Sequence, residues 1–298
     1  MSRISCRIVA LVSGFGWHVQ DLRRAAERVD VAFEPLPFPE VVGWVGDGPA
    51  RIEAAGVNLI GVDGILVRMM PPGSLEQVVF RMDALHRLAA SGVPVLNPPR
   101  AIEAAVDKYL TLAQLDAEGL PVPPTWTGES AASALIAFDA IGGDCVVKPL
   151  FGSEGRGLVR VNEREVARRI FHALERIGAV LYVQKYLPHD GHDLRVFVLG
   201  DRVLGAIRRH AAEGDWRTNV AVGGRAEACR IDDFTERLAL RAARAVGARM
   251  AGVDLLPVGP EGFTVLEVNA VPGWRALARA TGIDVAAEIL NDLREARR

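Results

Sequence analysis

Short apolar runs alternate with amphipathic stretches over residues 6 to 96. The pattern predicts five strands and two helices: strands over 7–12, 31–36, 57–60, 64–69 and 93–96, and helices over 17–28 and 75–90. Strands that alternate with helices are typical of α/β units with a parallel sheet. We therefore expect an α/β lobe here, with any ligand at the carboxyl ends of its strands.

Two proline clusters divide the rest of the chain. Asn97-Pro98-Pro99 and Leu120-Pro121-Val122-Pro123-Pro124 flank a helical segment that holds Lys108, and clusters of this kind are typical of lobe boundaries. Beyond them the pattern predicts further elements: strands over 144–148, 158–161, 180–184, 194–199 and 203–208, and helices over 163–177 and 233–246. A chain of 298 residues exceeds what one core usually organises. We predict three lobes, over 1–97, 98–185 and 186–298.

Composition excludes several function classes. Half of the residues are hydrophobic and 24% are charged, which is typical of a globular protein, and the net charge of -2 gives no field that would attract nucleic acid. The apolar run near the start is too short for a membrane span and lacks a signal-peptide pattern. Three widely spaced cysteines fit neither a disulfide framework nor a zinc site. The sequence predicts a cytoplasmic protein without nucleic acid or membrane as partner.

The first lobe offers two candidate ligand loops. Gly14 and Gly16 follow the first strand, and Glu34 stands where a dinucleotide-binding fold places its ribose-binding acid. Val19 occupies the place of the third glycine, so a nicotinamide or flavin site is disfavoured and the two glycines are interpreted as turn residues. The loop over 68–74 is the better candidate, because Arg68, at the end of a strand, could hold a carboxylate.

The segment from Asp254 to Asn269 predicts a hairpin that crowds two carboxylates. Apolar alternation flanks Gly259-Pro260-Glu261-Gly262, which suits a type I turn. The resulting register pairs Val258 with Phe263, Leu256 with Val265, and Asp254 with Glu267. Opposed Cβ atoms lie only about 4.5 to 5.5 Å apart, so two ionised carboxylates would repel. We expect a hard cation, Mg²⁺ or Mn²⁺, to resolve this, with Asn269 on the same face as Glu267. A solvated acidic hairpin is the alternative.

A lysine and a glycine-rich loop follow one another in the middle lobe. Lys148 ends the apolar strand Val146-Val147-Lys148, where an ammonium needs a nearby anion unless it reaches solvent. The loop over 152–157 contains three glycines, whose exposed backbone N–H groups can bind phosphate oxygens. Its spacing differs from that of a P-loop and a strand follows it, so we expect a hairpin lid rather than a helix-dipole site.

Cationic side chains converge in the last third of the chain. Asp193 and Arg195 share one strand face, and Arg208-Arg209 ends the next strand. The loop over 215–219 adds Arg217 and Asn219. Together with the hairpin carboxylates, this set predicts a site that neutralises a polyphosphate during phosphoryl transfer. A solvated charged face is the alternative for any single arginine.

The order of these motifs resembles that of the ATP-grasp ligases. Within that superfamily it is most similar to the RimK-type α-L-glutamate ligases, over residues 97 to 284. The resemblance includes Glu213-Gly214-Asp215-Trp216-Arg217-Thr218-Asn219, Ala251-Gly252-Val253-Asp254 and Glu267-Val268-Asn269-Ala270-Val271-Pro272-Gly273. It implies a mixed α/β (α+β) architecture, an ATP-grasp fold with an N-terminal Rossmann-like pre-ATP-grasp lobe.

The resemblance also implies roles for individual residues. ATP would be bound by the two lysines, the lid, the segment after the third middle strand and one aspartate: Lys108, Lys148, Ser153, Gly155, Gly157, Gln184, Lys185, Tyr186, Leu187 and Asp193. The metal ligands, for two Mg²⁺ or Mn²⁺ ions, would be Asp254, Glu267 and Asn269. Arg217 and Asn219 would act near the γ-phosphate and the acyl intermediate, and Arg208 would help to stabilise the oxyanion.

By resemblance, the protein is an ADP-forming carbon–nitrogen ligase that works through an acyl phosphate. Its substrates would be ATP, L-glutamate and a carboxylate acceptor, either a coenzyme of methanopterin, methylofuran or deazaflavin type or a protein C-terminus. Lys185 and Val222 depart from the family pattern, which often has Glu and a basic residue there. The alternatives are a ligase for another amino acid or small metabolite, such as a lysine precursor or glutathione-like peptide, and a non-catalytic nucleotide-binding protein. Relatives often form dimers or tetramers, and the sequence leaves the oligomeric state open.

Overall fold

The computed structural model describes residues 6–46, 48, 50–152, 156–218, 223–259 and 262–296. Their strands are β1 (Cys6–Val12), β2 (Val31–Pro37), β3 (Val41–Trp44), β4 (Arg51–Ala54), β5 (Val57–Asn58), β6 (Gly64–Val67), β7 (Val95–Leu96), β8 (Thr125–Gly128), β9 (Cys145–Lys148), β10 (Val159–Val161), β11 (Leu181–Lys185), β12 (His192–Leu199), β13 (Arg202–His210), β14 (Arg225–Cys229), β15 (Met250–Val258) and β16 (Gly262–Asn269).

The helices of the described residues cover the faces of these sheets. They are α1 (Trp17–Val29), α2 (Leu75–Ala90), α3 (Pro99–Val106), α4 (Lys108–Ala117), α5 (Ala131–Ala140), α6 (Arg164–Arg176), α7 (Asp233–Ala245), α8 (Arg275–Thr281) and α9 (Val285–Ala296). Two 3₁₀ turns lie over Phe38–Glu40 and Leu59–Gly61. Among the described helices, none combines the length and apolar character needed to cross a membrane.

The first lobe contains the predicted parallel sheet, in the order β2-β1-β6-β7. The strand predicted over 57–60 is wrong for its second half. Only Val57–Asn58 is a strand, and it pairs antiparallel with β4 in a separate three-stranded sheet. The Asn58 side chain accepts a hydrogen bond from the Ile60 amide at 3.0 Å and so begins a 3₁₀ turn instead.

The rest of the chain forms two antiparallel sheets. The smaller has the order β10-β9-β11-β8 and packs against α5 and α6, and the larger has the order β14-β13-β12-β15-β16 and packs against α7. The helical segment around Lys108 is interrupted at Asp107, whose carboxylate accepts hydrogen bonds from the amides of Tyr109 and Leu110. This N-cap begins α4 and places Lys108 in its first turn.

The predicted hairpin is present, but its strands pair differently from the prediction near the turn. Asp254 lies opposite Glu267, as predicted. The predicted pairs nearer the turn are wrong, because Val258 lies opposite Gly262 and Leu256 opposite Thr264. The register shifts between Asp254 and Leu255, so one residue of β16, Leu266, has no partner in the ladder. A bulge of this kind re-aims side chains, and Leu266 lines the cleft described below. Pro260 and Glu261 lie outside the described residues.

The first and last described elements share one core. Helix α9 packs against α1 and β1, and its Ile289, Leu290 and Leu293 belong to the apolar cluster of the first lobe. Buried Asn97 joins the first lobe to the large sheet, since it donates to the Met250 carbonyl at 2.7 Å and accepts from the Met250 amide at 2.8 Å. The boundaries near residues 97 and 185 stay a prediction, and the first core draws on both ends of the chain.

Candidate active site

A cleft lies between the small and the large antiparallel sheets. The space inside it, with the open solvent at its mouth included, is about 690 Å³. One part of the lining is apolar or aromatic and the other is charged: Val146, Leu158, Tyr186, Leu187, Trp216, Leu256 and Leu266 against Lys148, Lys185, Asp193, Arg209, Arg217, Asp254 and Glu267. The cleft can therefore hold a ligand with a flat apolar part and an anionic part.

Lys148 is placed in the cleft by the end of β9. Its ammonium donates to the Gln184 side-chain oxygen at 2.6 Å, and Gln184 is held in turn by the Thr125 hydroxyl at 2.9 Å. Burial lowers the pKa of Lys148 to about 8, although the charge of Glu267 opposes that shift. A desolvated ammonium held by a neutral amide is a cation ready for an anionic ligand.

Lys108 interacts with the same carboxylate, that of Glu267, through its charge. Its ammonium donates to the backbone carbonyls of Gly152 at 2.8 Å and Leu150 at 3.3 Å, at the beginning of the glycine-rich loop. Burial lowers the pKa of Lys108, and the charge of Glu267 raises it in part. Lys108 thus ties α4 to the loop and contributes to the positive field around Glu267.

Four buried or half-buried charges form a network on one face of the large sheet. Arg209 donates to Asp193 at 2.5 Å and to Asp254 at 2.9 Å, and Arg195 binds both Asp254 oxygens at 2.7 Å. The Thr218 hydroxyl also donates to Asp193, at 2.6 Å. Arg209, Asp193 and Asp254 are each at most 3% exposed. The network makes these carboxylates rigid parts of the cleft wall.

The two opposed carboxylates do not depend on a cation to coexist. Burial alone would raise the pKa of Asp254, but the charges of Arg195 and Arg209 outweigh it and hold that pKa below its usual value. The expectation that only a dication makes this crowding tolerable is therefore wrong for Asp254. Its direct pairing with two arginines depends on contacts between strands, which the pattern of one hairpin does not contain.

The donor set nevertheless fits a hard cation. Glu267 has no hydrogen bond or ion pair to any described residue, so both of its oxygens are available. Asp254 Oδ1 accepts one hydrogen bond, and Asn269 Oδ1 accepts one from the Val271 amide at 2.8 Å, so each keeps one lone pair. Within the described ranges no group of three His, Cys, Asp or Glu side chains gathers. A cation here would complete its shell with phosphate and water oxygens, as Mg²⁺ commonly does.

The segment after β11 forms the aromatic side of the cleft. The Lys185 amide donates to the Pro124 carbonyl at 2.8 Å and the Tyr186 amide to the Asp144 carbonyl at 3.0 Å. The Arg160 guanidinium stacks 3.5 Å from the centre of the Tyr186 ring while it binds both oxygens of Asp144, at 3.0 and 2.6 Å. The Tyr186 ring is thereby fixed between a cation and the rest of the cleft.

Most of the site residues predicted from the sequence line this cleft: Lys148, Gln184, Lys185, Tyr186, Leu187, Asp193, Arg217, Asp254 and Glu267. Arg217 is paired there with Asp215, at 2.7 Å. Asn269 lies opposite Gly252 in the hairpin, and Gly157, with a φ of +74°, lies against Pro149. Ser153, Gly155 and Asn219 lie outside the described residues, as does Val222.

Of two adjacent arginines, the structure places Arg209 and not Arg208 at the cleft. Arg208 is exposed, and its nearest acid is Glu227 at 3.9 Å, on the side of β13 away from the charge network. Arg209, which was predicted among the converging cations but was given no role of its own, lines the cleft together with Arg217. Neighbouring residues of a strand point to opposite faces, so a shift of one residue decides between them. The available signal was the alternation of side chains between the two faces of the sheet. Asp193 and Arg195 share one face of β12, and Arg209 lies opposite Asp193 on β13.

A model of the RimK-like ATP-grasp domain matches residues 105–293, well over half of the chain. The chain belongs to the RimK-like ATP-grasp family. Among curated relatives, the tetrahydromethanopterin:α-L-glutamate ligase of Methanocaldococcus jannaschii is 36% identical over 282 residues, which cover 92% of this chain and 94% of the relative. The ligase of the same name from Methanosarcina acetivorans is 36% identical over 273 residues, 82% of this chain and 84% of the relative.

Solved structures of ATP-grasp proteins share the fold over nearly the whole chain. The ATP-grasp ligase PsnB, complexed with a minimal precursor, superposes with a TM-score of 0.78 at 23% identity over 98% of this chain and 99% of PsnB. The RimK domain protein of Sphaerobacter thermophilus superposes with a TM-score of 0.73 at 22% identity, over 96% of this chain and 99% of that protein. The predicted ATP-grasp fold, the RimK-type family and the class of ADP-forming carbon–nitrogen ligase are confirmed.

ATP binding should weaken as the pH rises through about 8. In the ligand-free RimK-like site, burial holds the pKa of Lys148 at about 8, so this side chain loses most of its charge by pH 9. A triphosphate favours the protonated form, so binding should take up a proton above pH 8 and the dissociation constant should rise up to about tenfold per pH unit. Calorimetry between pH 7 and pH 9.5, in buffers of different ionisation enthalpy, measures both. In the Lys148→Met variant the proton uptake should vanish, and a persisting uptake would assign it to another group.

Proposed function

We propose that this protein joins L-glutamate to a carboxylate of a one-carbon coenzyme of the methanopterin type and converts ATP to ADP and phosphate. The observation that carries the proposal is the 36% identity to tetrahydromethanopterin:α-L-glutamate ligases over 92% of the chain. That similarity extends over the first lobe, beyond the residues matched by the domain model. The lobe that is expected to bind the acceptor therefore also resembles that of those enzymes.

The chemistry of amide formation explains why ATP is needed. A carboxylate is a poor acyl donor, because attack by an amine would have to expel an oxide. In the proposed reaction the acceptor carboxylate attacks the γ-phosphorus, the bond to the ADP oxygen breaks, and an acyl phosphate forms. The neutral amine of glutamate then attacks the acyl carbon, inorganic phosphate leaves, and the amine proton passes to solvent. No covalent bond to the enzyme is required.

The side chains of the cleft suit the first of these steps. Lys148 and Lys108 would neutralise phosphate oxygens, and the aromatic and apolar wall with Tyr186 and Leu187 would hold the adenine. Fixed cations around a transferring phosphoryl group are the main source of catalysis in such reactions. Asp193 already accepts hydrogen bonds from Arg209, and its remaining lone pairs would face the ribose.

The side chains of Glu267, Asp254 and Asn269 on the hairpin would hold Mg²⁺, or Mn²⁺ in its place. When bound, the cation would neutralise charge on the triphosphate. Arg217 would contribute a further cation beside the γ-phosphate, once its guanidinium leaves or shares Asp215. Asn219 is proposed for the same place on the family pattern alone.

A product assay tests the proposed substrates. Purified protein, ATP, Mg²⁺ and L-glutamate should convert tetrahydromethanopterin into a product heavier by one glutamyl residue, as measured by mass spectrometry. Methylofuran, deazaflavin coenzyme and a peptide with a free C-terminus serve as competing acceptors, and other amino acids as competing amines. Preferred glutamylation of another acceptor would change the identity of the proposed coenzyme. Faster ADP formation with another amine than with L-glutamate would overturn the glutamate assignment.

A further inference from the structure

Arg68 lies buried at the junction of the first lobe and the loop that follows the hairpin. It comes directly after β6, is 5% exposed, and donates through Nη1 to the Val271 carbonyl at 3.1 Å. Its guanidinium lies over the Trp274 ring, 4.9 Å from the ring centre. Within the described part of the chain, the Nε–H group has no hydrogen-bond partner and no carboxylate forms an ion pair with Arg68.

A buried guanidinium without a counter-ion is costly to the folded protein. Burial lowers the pKa of Arg68 to about 10, and no nearby charge offsets that shift. Among the described residues two other arginines are buried: Arg209 is paired with two carboxylates, and Arg81 donates to the Pro71 carbonyl. Stability alone would favour an apolar side chain at position 68. A cation kept in such a place points to an anion that arrives from outside the chain.

The groups around Arg68 are also donors. His18 accepts a hydrogen bond from the Trp274 amide through Nε2, at 3.3 Å, so the neutral ring carries its proton on Nδ1. Burial and the charges of Arg68 and Arg275 lower the pKa of His18 to about 4, which keeps the ring neutral at physiological pH. The nearest acid, Asp21, is occupied, since it accepts hydrogen bonds from Arg24 and from the Trp274 indole.

Helix α1 contributes its amino end to the same place. Gly16 at its N-cap has no side chain, and its first turn contains no acidic residue, so the first amide groups remain available to an anion. Gly273 keeps the approach open, because a Cβ atom there would lie 3.4 Å from His18 Nε2 and 4.0 Å from Arg68 Nη2. Gly273 itself is exposed to solvent.

The distance to the reaction centre suits a small substrate. Arg68 binds the carbonyl of Val271, whose amide is bound by the proposed metal ligand Asn269. Two residues of chain span at most about 7 Å. The amine and the γ-carboxylate of L-glutamate, and the two carboxylates of a glutamyl-like acceptor, are separated by a comparable length. An anion at Arg68 can therefore belong to a molecule that reacts beside Asn269.

We propose that Arg68, with His18 and the amino end of α1, binds a substrate carboxylate that takes no part in the reaction. This inference rests on the proposed function for the substrate's identity, but not for the existence of the site. Arg68 thus acts as a specificity-determining residue that orients a substrate against the hairpin loop. The bound carboxylate can belong to L-glutamate or to the acceptor, and Arg68 would bind either one in the same way.

The Arg68→Met variant tests the proposal, with Arg81→Met as its matched control. Arg81 is 6% exposed and binds one backbone carbonyl, of Pro71, in the loop that Arg68 begins. Arg68→Met should raise KM for L-glutamate about 10- to 100-fold, with kcat and KM for ATP within about threefold of wild type. Its melting temperature should equal or exceed that of wild type, since an unpaired buried charge is removed.

The amides of glutamate locate the carboxylate. Wild type should prefer L-glutamate over the amide that lacks the bound carboxylate, either L-glutamine or the α-amide, and this preference should largely disappear in Arg68→Met. A rise in KM for the acceptor, with KM for L-glutamate unchanged, would assign the same site to the acceptor. Unchanged KM values for both substrates, or equal effects of Arg81→Met, would overturn the proposal.

A binding measurement separates this proposal from the proposed function. Glutarate, a dicarboxylate without an amine, should bind wild type in calorimetry and bind Arg68→Met at least about tenfold more weakly. That result would stand even if no glutamylated product were found. Conversely, full ligase activity together with equal glutarate binding by both proteins would leave the function intact and remove Arg68 from the site.

Discussion

The Glu267→Gln variant should form ADP at least about 100-fold more slowly than wild type, the size of effect seen when one electrostatic group is removed from an active site. Glu267 is the hairpin carboxylate that no described residue neutralises, and its charge acts on both Lys108 and Lys148. Glutamine keeps the shape but removes the charge, so the proposed cation loses its strongest ligand. A steady-state assay at saturating ATP, with Mg²⁺ varied, measures the loss.

Glu227→Gln is the matched control for this change. Glu227 lies on β14 of the same sheet, outside the cleft, where it pairs with His210 at 2.9 Å. Its replacement should leave the rate of ADP formation within about threefold of wild type, because the group is exposed and weakly coupled. Unchanged turnover in Glu267→Gln would remove Glu267 from the reaction centre.

The Arg209→Met variant should lose about 3 to 5 kcal/mol of the free energy of unfolding, the cost of breaking a buried ion pair by removing one partner. Arg209 stands between Asp193 and Asp254, and their charges raise its pKa although burial acts in the opposite direction. Without it, the partners left among the described residues are the Thr218 hydroxyl for Asp193 and Arg195 for Asp254. Urea denaturation followed by circular dichroism gives the difference.

Arg208→Met supplies the control on the neighbouring position. Arg208 has the same side chain on the same strand, but it is exposed and lies 3.9 Å from Glu227. Its replacement should change the free energy of unfolding by less than about 1 kcal/mol. Equal losses in the two variants would mean that the network around Arg209 contributes no more than a surface pair.

Local sequence pattern located the two strands and the turn of the hairpin, but not its full register. Asp254 was predicted opposite Glu267 because both lie at fixed distances from a marked turn. The same argument missed the bulge at Leu266, because an extra residue in one strand leaves the apolar pattern almost unchanged. The pair Asp254–Glu267 was nevertheless predicted correctly, because two errors cancel. The turn is one residue shorter than assumed, and the bulge adds one residue to β16.

Contacts between distant elements could not be predicted in this way. The pairing of Asp254 with Arg195 and Arg209 joins three strands, and the stacking of Arg160 on Tyr186 joins β10 to the segment after β11. The three-stranded sheet of the first lobe escaped because β5 has two residues and β3 and β4 have four each. The positions of these groups follow from packing rather than from local periodicity.

An isotope measurement tests the proposed reaction most directly. The acceptor is prepared with ¹⁸O in the carboxylate that reacts, and the phosphate released with ATP, Mg²⁺ and L-glutamate is analysed by mass spectrometry. If the carboxylate attacks the γ-phosphorus, one ¹⁸O atom moves into inorganic phosphate with each amide formed. Label that stays out of phosphate while glutamylated product accumulates, or that appears in AMP, would contradict an acyl phosphate formed in this cleft.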